Sequence, residues 1–266
     1  MAKIPVLSET LPILWDAAYA LQPELKNGLY KEWAYLYRRL DFLTDKKWIN
    51  AVERILPGWE KVATQNEGQT AKHTIVVLAC CLNLPEYKNA SAQTRREIEW
   101  AAIFHDLDKD VQYGRGDGAH GMRSAGLAAQ RLVDLGFDLE SKGHFDNWVD
   151  VVKSAQKQVE GKWAADFSRL PAIWTGLHYF FGFDTPATRI VKAVMFHQSL
   201  STLDDWPNPV ILSDDEIRTY LTLEDIDVLG PLMLGDSDAW NVCEPTRDRY
   251  MGELRGNIEK VRKVLK

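Results

Sequence analysis

The residues best suited to chemistry in this 266-residue chain are histidines and acids set in apolar surroundings. Four of its six histidines sit in or beside apolar segments of helical spacing: His73 in KHTIVVLACC, His105 in AAIFHDLDK, His120 in AHGMRSAGLAA and His197 in KAVMFHQS. Two acids share that setting, Asp106 directly after His105 and Asp236 in LMLGDSDAW. Imidazole nitrogens and carboxylate oxygens together suit manganese, iron, cobalt, nickel or zinc, and the donor types alone leave the choice open. A single histidine on an apolar face is ordinarily a core residue with one hydrogen-bond partner, because buried polar groups need only that. Four such histidines and two acids in one chain weigh against so plain a reading. Adjacent His105 and Asp106 at a helix end can also point both groups at one centre. His144, in the polar stretch SKGHFDNW, is expected at the surface, and His178 could supplement a ligand set.

Helices must position these groups. Residues 65–69 read as a turn, and a helix from Thr70 to Leu82 carries His73. Thr94-Arg95-Arg96-Glu97 reads as a capping box with Thr94 as the N-cap. The helix it opens places Ile98, Ala101, Ala102 and His105 on one face, so His105 projects inward near the C-terminus. The glycine-rich YGRGDGAHG (113–121) is expected to be a loop at the mouth of the site; it lacks the G-x-G-x-x-G spacing of a nucleotide-binding turn. A helix from Gly121 to Leu135 ends at Gly136, and another from Thr188 to Leu200 bears His197. Residues 204–212, with Pro207 and Pro209, read as a loop, and Ser213-Asp214-Asp215-Glu216 as a second capping box. Residues 137–186 show only short helical patterns, and no strand pattern stands out. In the N-terminal region Trp33, Tyr37 and Leu40 fall at helical spacing and read as a core stripe. The expected class is all-α, with a helical extension over 1–65, a core over 66–245 and a C-terminal helix over 246–266.

Composition narrows the function. Apolar residues make up 45% of the chain, enough for a full core. Lys and Arg total 32 against 38 Asp and Glu, a net charge of −6. That balance suits a small phosphorylated substrate better than long nucleic acid, which basic surfaces favour. The three cysteines, with Cys80 and Cys81 adjacent in an apolar run, are not a disulfide framework. The first residues, MAKIPVLSET, hold no apolar signal segment, and no run of about 18 apolar residues occurs. A cytoplasmic protein without a membrane span is the expectation.

The order His73, then His105-Asp106, then a distant Asp236 resembles the H…HD…D pattern of HD-domain phosphohydrolases. FHDLDK is similar to that family's HD-hydrophobic-G-K segment, with Asp108 where glycine is usual, and LMLGDSDAW resembles its final acid-bearing helix. The resemblance spans roughly residues 65–245 and implies an HD-domain helical bundle with added N- and C-terminal helices. It implies that His73, His105, Asp106 and Asp236 hold a first metal, with Asp238 a competing last ligand. His120, followed by Ser124 and Ala125, and His197, followed by Gln198, resemble the extra histidines of two-metal relatives, in which Asp106 would bridge two divalent ions. The implied reaction is hydrolysis of a nucleotide or similar small phosphate ester by metal-activated water, with Asp106 and Lys109 catalytic and Lys109, Arg115 and Arg123 facing the phosphate. Asp108 could orient a histidine, assist proton transfer or cap its helix. Open beside this are a metal-dependent nuclease acting on single strands, a two-iron oxygenase and a regulatory module without turnover.

Overall fold

Apolar residues at three- and four-residue spacing recur along most of the chain, and in the computed structural model that spacing becomes helix almost throughout. The structure describes residues 4–26, 32–110, 117–141, 143–200 and 211–266. The helices are α1 (Leu7–Thr10), α2 (Pro12–Lys26), α3 (Trp33–Arg38), α4 (Lys46–Glu53), α5 (Trp59–Thr64), α6 (Gln69–Asn83), α7 (Pro85–Asn89), α8 (Ala92–Phe104), α9 (His120–Asp134), α10 (Phe145–Lys153), α11 (Leu170–Phe181), α12 (Pro186–Phe196), α13 (Asp214–Tyr220), α14 (Leu223–Asn241) and α15 (Arg247–Val264). The protein is therefore mostly helical. Among the described residues no helix is long and apolar enough to cross a membrane.

Five helices make the frame that matters for the site. α12 packs on α9, α14 and α8, while α6 packs on α14 and α8. α6 is buried from Thr70 to Leu82, which is why its sequence is apolar all round rather than on one stripe. α2 covers α6 from the N-terminal side, where the Gln22 side chain donates to the Leu82 carbonyl and Asn83 donates to that of Gln22. One contiguous apolar core runs from Ile4 to Val261.

Two local expectations change. Ser91, not Thr94, caps α8: its Oγ accepts from the Thr94 amide at 3.0 Å, so the helix starts three residues earlier. Glu97 is thereby released from the cap and instead takes a two-pronged bond from Arg189 at 2.7 and 2.8 Å, tying α8 to α12 inside the core. The second capping box, Ser213 with Glu216, forms as read.

A small sheet also appears where no strand was expected. β1 (Asp117–Gly118) pairs parallel with β3 (Lys162–Ala165), which pairs antiparallel with β2 (Gln156–Val159). The β2–β3 turn is Glu160-Gly161, both at positive φ (51° and 78°), the backbone a tight hairpin prefers. The strands are four residues or fewer and β2 is largely polar, so no period-2 apolar signal marks them. Asp117 and Gly118 thus leave the glycine-rich loop for a strand. Residues 113–116 of that segment, Arg115 among them, and most of the proline-bearing 204–212 segment lie outside the described residues.

Candidate metal centre

The helix ends deliver the candidate ligands. His73 projects from the first turns of α6. His105 and His197 are the C-cap residues of α8 and α12, and His120 opens α9. Asp106 follows His105 in the turn, and Asp236 lies in the last third of α14. Two glycines beside ligands let the helices come close enough. A Cβ on Gly121 would stand 2.8 Å from the Met195 carbonyl of α12, and one on Gly235 would collide with Cys81 Sγ of α6.

The side chains meet in two overlapping groups. His73, His105 and Asp106 form one, and Asp106, His120 and His197 the other, with donor atoms within 4.8 Å of one another in each. All five residues are buried. Asp106 joins the groups through different oxygens. Its Oδ2 lies 3.5 Å from His105 Nε2 and 3.8 Å from His73 Nε2, while its Oδ1 lies 3.0 Å from His120 Nε2. Asp236 Oδ1 stands 2.9 Å from His73 Nε2 and 3.9 Å from His105 Nε2. Asp238 points elsewhere, clamped by Arg247 at 2.5 and 2.8 Å.

Three of the imidazoles are oriented in the same way. His105 Nδ1 lies 2.7 Å from the Ala102 carbonyl, His120 Nδ1 2.6 Å from that of Asp117 and His197 Nδ1 2.7 Å from that of Val194. A carbonyl only accepts, so each Nδ1 carries a proton and each neutral ring presents a bare Nε2 to the centre. In this tautomer the Nε2 atoms of His120 and His197, 3.1 Å apart, are two lone pairs facing each other. His105 Nε2, Asp106 Oδ1 and His73 Nδ1 are buried without a hydrogen-bond partner. His105 Nε2 and Asp106 Oδ1 face the centre, and orphaned acceptors aimed at one buried point are the signature of a site built for a cation.

The electrostatics agree. Burial, reinforced by His120 and His105, pushes His197 down to about 3, and burial also lowers His105 against the pull of Asp106 and Asp236. Burial opposes the Asp106 charge, but the Lys109 ammonium and the neighbouring His105 and His120 hold its carboxyl well below the usual range. Asp236 is likewise lowered against burial, chiefly by its bond with His73. Lys109 Nζ contacts Asp106 Oδ2 at 2.7 Å, and the charges of Asp106 and Asp236 raise its value against burial. Two carboxylates facing one ammonium leave the centre net negative, which a divalent ion would offset. The residues present therefore fit a metal, and the two triads could hold one ion each.

Other candidates have different surroundings. Arg123 donates to Asp117 Oδ2 at 2.5 Å, to Gln156 and to the Asp108 carbonyl. Asp108 binds Lys61 at 2.6 Å, and its amide donates to Ser124 Oγ, so it anchors the turn after α8 rather than a histidine. His178 packs on Trp174 and Phe183, outside both ligand groups, and its ring is lowered to about 4 by burial and Lys192. His144 is exposed.

Sequence reading missed several contributors. Asp117 both orients His120 through its carbonyl and fixes Arg123 through its carboxylate, and an acid three residues before a helix-opening histidine was its only signal. Gln65 donates to the Lys109 carbonyl at 2.9 Å. Trp240, four residues beyond Asp236, lies 4.4 Å from His73, centroid to centroid.

No family model matches the chain, and no curated protein or solved structure is detectably similar to it.

Proposed function

We propose that the protein is a metal-dependent phosphohydrolase, similar to the HD superfamily, that hydrolyses a small phosphate ester such as a nucleotide. One observation carries this reading: two buried triads share Asp106, and in the second the bare Nε2 atoms of His120 and His197 face each other with no proton donor between them. His73, His105, Asp106 and Asp236 would hold one divalent ion, and Asp106, His120 and His197 a second. Bound there, such ions supply the Lewis acidity and the lowered water pKa that phosphate-ester hydrolysis needs.

The chain's own residues supply the rest. The carbonyls of Ala102, Asp117 and Val194 keep protons on Nδ1, so Nε2 is the nitrogen left to act as a ligand. Asp106 offers one oxygen to each triad. Lys109 carries a positive charge to the more exposed side of the centre, its side chain 22% exposed, where it can meet a phosphoryl oxygen and stabilise charge there. Arg123 contributes by holding Asp117. The order of residues, H…HD…D with two further histidines, agrees with this chemistry.

The test is metal analysis of anaerobically purified protein, followed by phosphate release from nucleoside monophosphates, cyclic dinucleotides and alkyl phosphates with manganese or iron. About two equivalents of metal and a metal-dependent release are expected, both lost in Asp106→Ala. Protein without metal would overturn the reading. Oxygen uptake without phosphate release would favour a two-iron oxygenase, and function intact in Asp106→Ala a regulatory module.

A further inference from the structure

We infer that Trp240, backed by Trp33 and Tyr37, is a stacking platform for a planar ring carried by the substrate. This rests on the phosphohydrolase reading and names a feature of what the site accepts. The ligands His73, His105, Asp106, His120 and His197 are all buried, so a substrate must approach from the side where the centre is open. Three side chains mark that side. Lys109 and Asp236 are 22% and 16% exposed, and Trp240 is 46% exposed.

Trp240 sits one helical turn beyond Asp236, on the same face of α14. Its ring lies 4.4 Å from the His73 ring and 5.5 Å from Lys109 Nζ, so it adjoins both a ligand and the cation assigned to the phosphate. Trp33 of α3 lies 6.4 Å from it, tilted by 52°, and Tyr37 lies 5.6 Å from Trp33. The α3 stripe thus packs on the core as its spacing implies, and at Trp33 it also reaches the indole beside the metal centre.

An indole left nearly half in water beside a buried polar centre gains by being covered with another flat, polarisable surface. The distances put such a ring where a phosphate held by Lys109 would carry its leaving group. A phosphate ester whose alcohol carries a planar ring, a nucleotide with its base being the common form, meets that geometry, and a simple alkyl phosphate without a ring does not.

The test compares a nucleoside 5′-monophosphate with glycerol phosphate on the manganese-loaded protein, in wild type, Trp240→Leu and Trp240→Phe, with metal content measured in each. The ratio of the two kcat/KM values should fall roughly ten- to hundredfold in Trp240→Leu and return in Trp240→Phe. A wild-type ratio near one, or a ratio that Trp240→Leu leaves unchanged, overturns the platform while leaving the phosphohydrolase reading standing. If neither ester is hydrolysed, the phosphohydrolase reading fails, and quenching of tryptophan fluorescence by the phosphate-free nucleoside decides the platform. Quenching lost in Trp240→Leu supports it, and no quenching in wild type overturns it.

Discussion

Gly121→Ala is the sharpest probe of how the second triad is built. Replacing glycine with alanine in an open helix gains up to about 1 kcal/mol, because alanine loses less backbone freedom on folding. At Gly121 the new Cβ would stand 2.8 Å from the Met195 carbonyl oxygen, 3.3 Å from that of Val194 and 3.5 Å from His197 Cε1. Backbone carbonyls in the last turn of α12 cannot swing aside as a side-chain tip can, so α9 and α12 must part. Overpacking of this kind costs about 1–3 kcal/mol. Set against the propensity gain, the net is a loss of up to about 2 kcal/mol, opposite in sign to what propensity alone gives. The Val194 carbonyl also orients His197, so the same movement reaches the His120–His197 pair. Urea unfolding and metal titration of chelator-cleared protein read both effects. The variant should unfold at lower urea and lose its weaker equivalent of metal, while Gly256→Ala, where a Cβ meets nothing within 4 Å, should be neutral or stabilising. A Gly121→Ala protein as stable as wild type that binds metal unchanged would refute the close-approach argument.

Three further outcomes follow from the same geometry. His197 is held neutral with its value at about 3 against 6.5 unfolded, so between those values the unfolded chain binds a proton that the native one rejects. Stability of the metal-free protein should therefore fall as pH drops from about 6.5 toward 3, by about 2 kcal/mol at pH 5 from this residue alone; a urea midpoint whose pH slope is the same in His197→Gln would reject the assignment. Arg189→Met leaves Glu97 charged and unpaired in the core and should cost about 3–5 kcal/mol, most of it recovered in thermal melts of the double variant with Glu97→Leu. Asp236→Asn should weaken metal binding with little loss of stability, whereas Asp238→Asn should keep the metal and lower the melting temperature by releasing Arg247; metal analysis beside thermal melts checks this, and the reverse pattern would make Asp238 the ligand.

The parts of the fold that were legible are those with a repeating signal. The helices bearing His73, His105, His120 and His197 stand within a few residues of where apolar spacing puts them, because burial of one face dictates that spacing. The β2–β3 hairpin was not legible, since its strands are short and polar and its hold comes from pairing with residues 117–118, about forty positions upstream. The start of α8 was misplaced because Thr94 and Glu97 imitate a capping box. Only the packing of α8 on α12 shows that Glu97 belongs to Arg189. The end of an apolar run favours Asp236 over Asp238 as a candidate, but that Arg247 occupies Asp238 depends on a residue nine positions away on another helix. Trp33 and Tyr37 do pack against the core, as their spacing implies, but spacing alone cannot show that Trp33 also meets Trp240.

The candidate ligand set also explains why ordinary local structure can assemble so polar a centre inside an apolar frame. A helix C-terminus leaves carbonyls without intrahelical donors. A histidine placed there satisfies one of them through Nδ1 three residues back, as His105 does with Ala102 and His197 with Val194. That bond stabilises the helix end, fixes the tautomer and aims the other nitrogen outward, so helix termination and ligand orientation are one act. His120 reaches the same tautomer from the opposite end of a helix by borrowing the carbonyl of a strand residue, Asp117. The unfavourable part is then concentrated in the meeting of the bare Nε2 atoms with Asp106 and Asp236. Metal-free protein must bear it as lone-pair opposition and uncompensated charge, so metal binding should stabilise the fold by mass action, with the melting temperature rising as metal is added. The rise should be smaller in His120→Ala, which keeps the first triad and removes the opposed pair of the second.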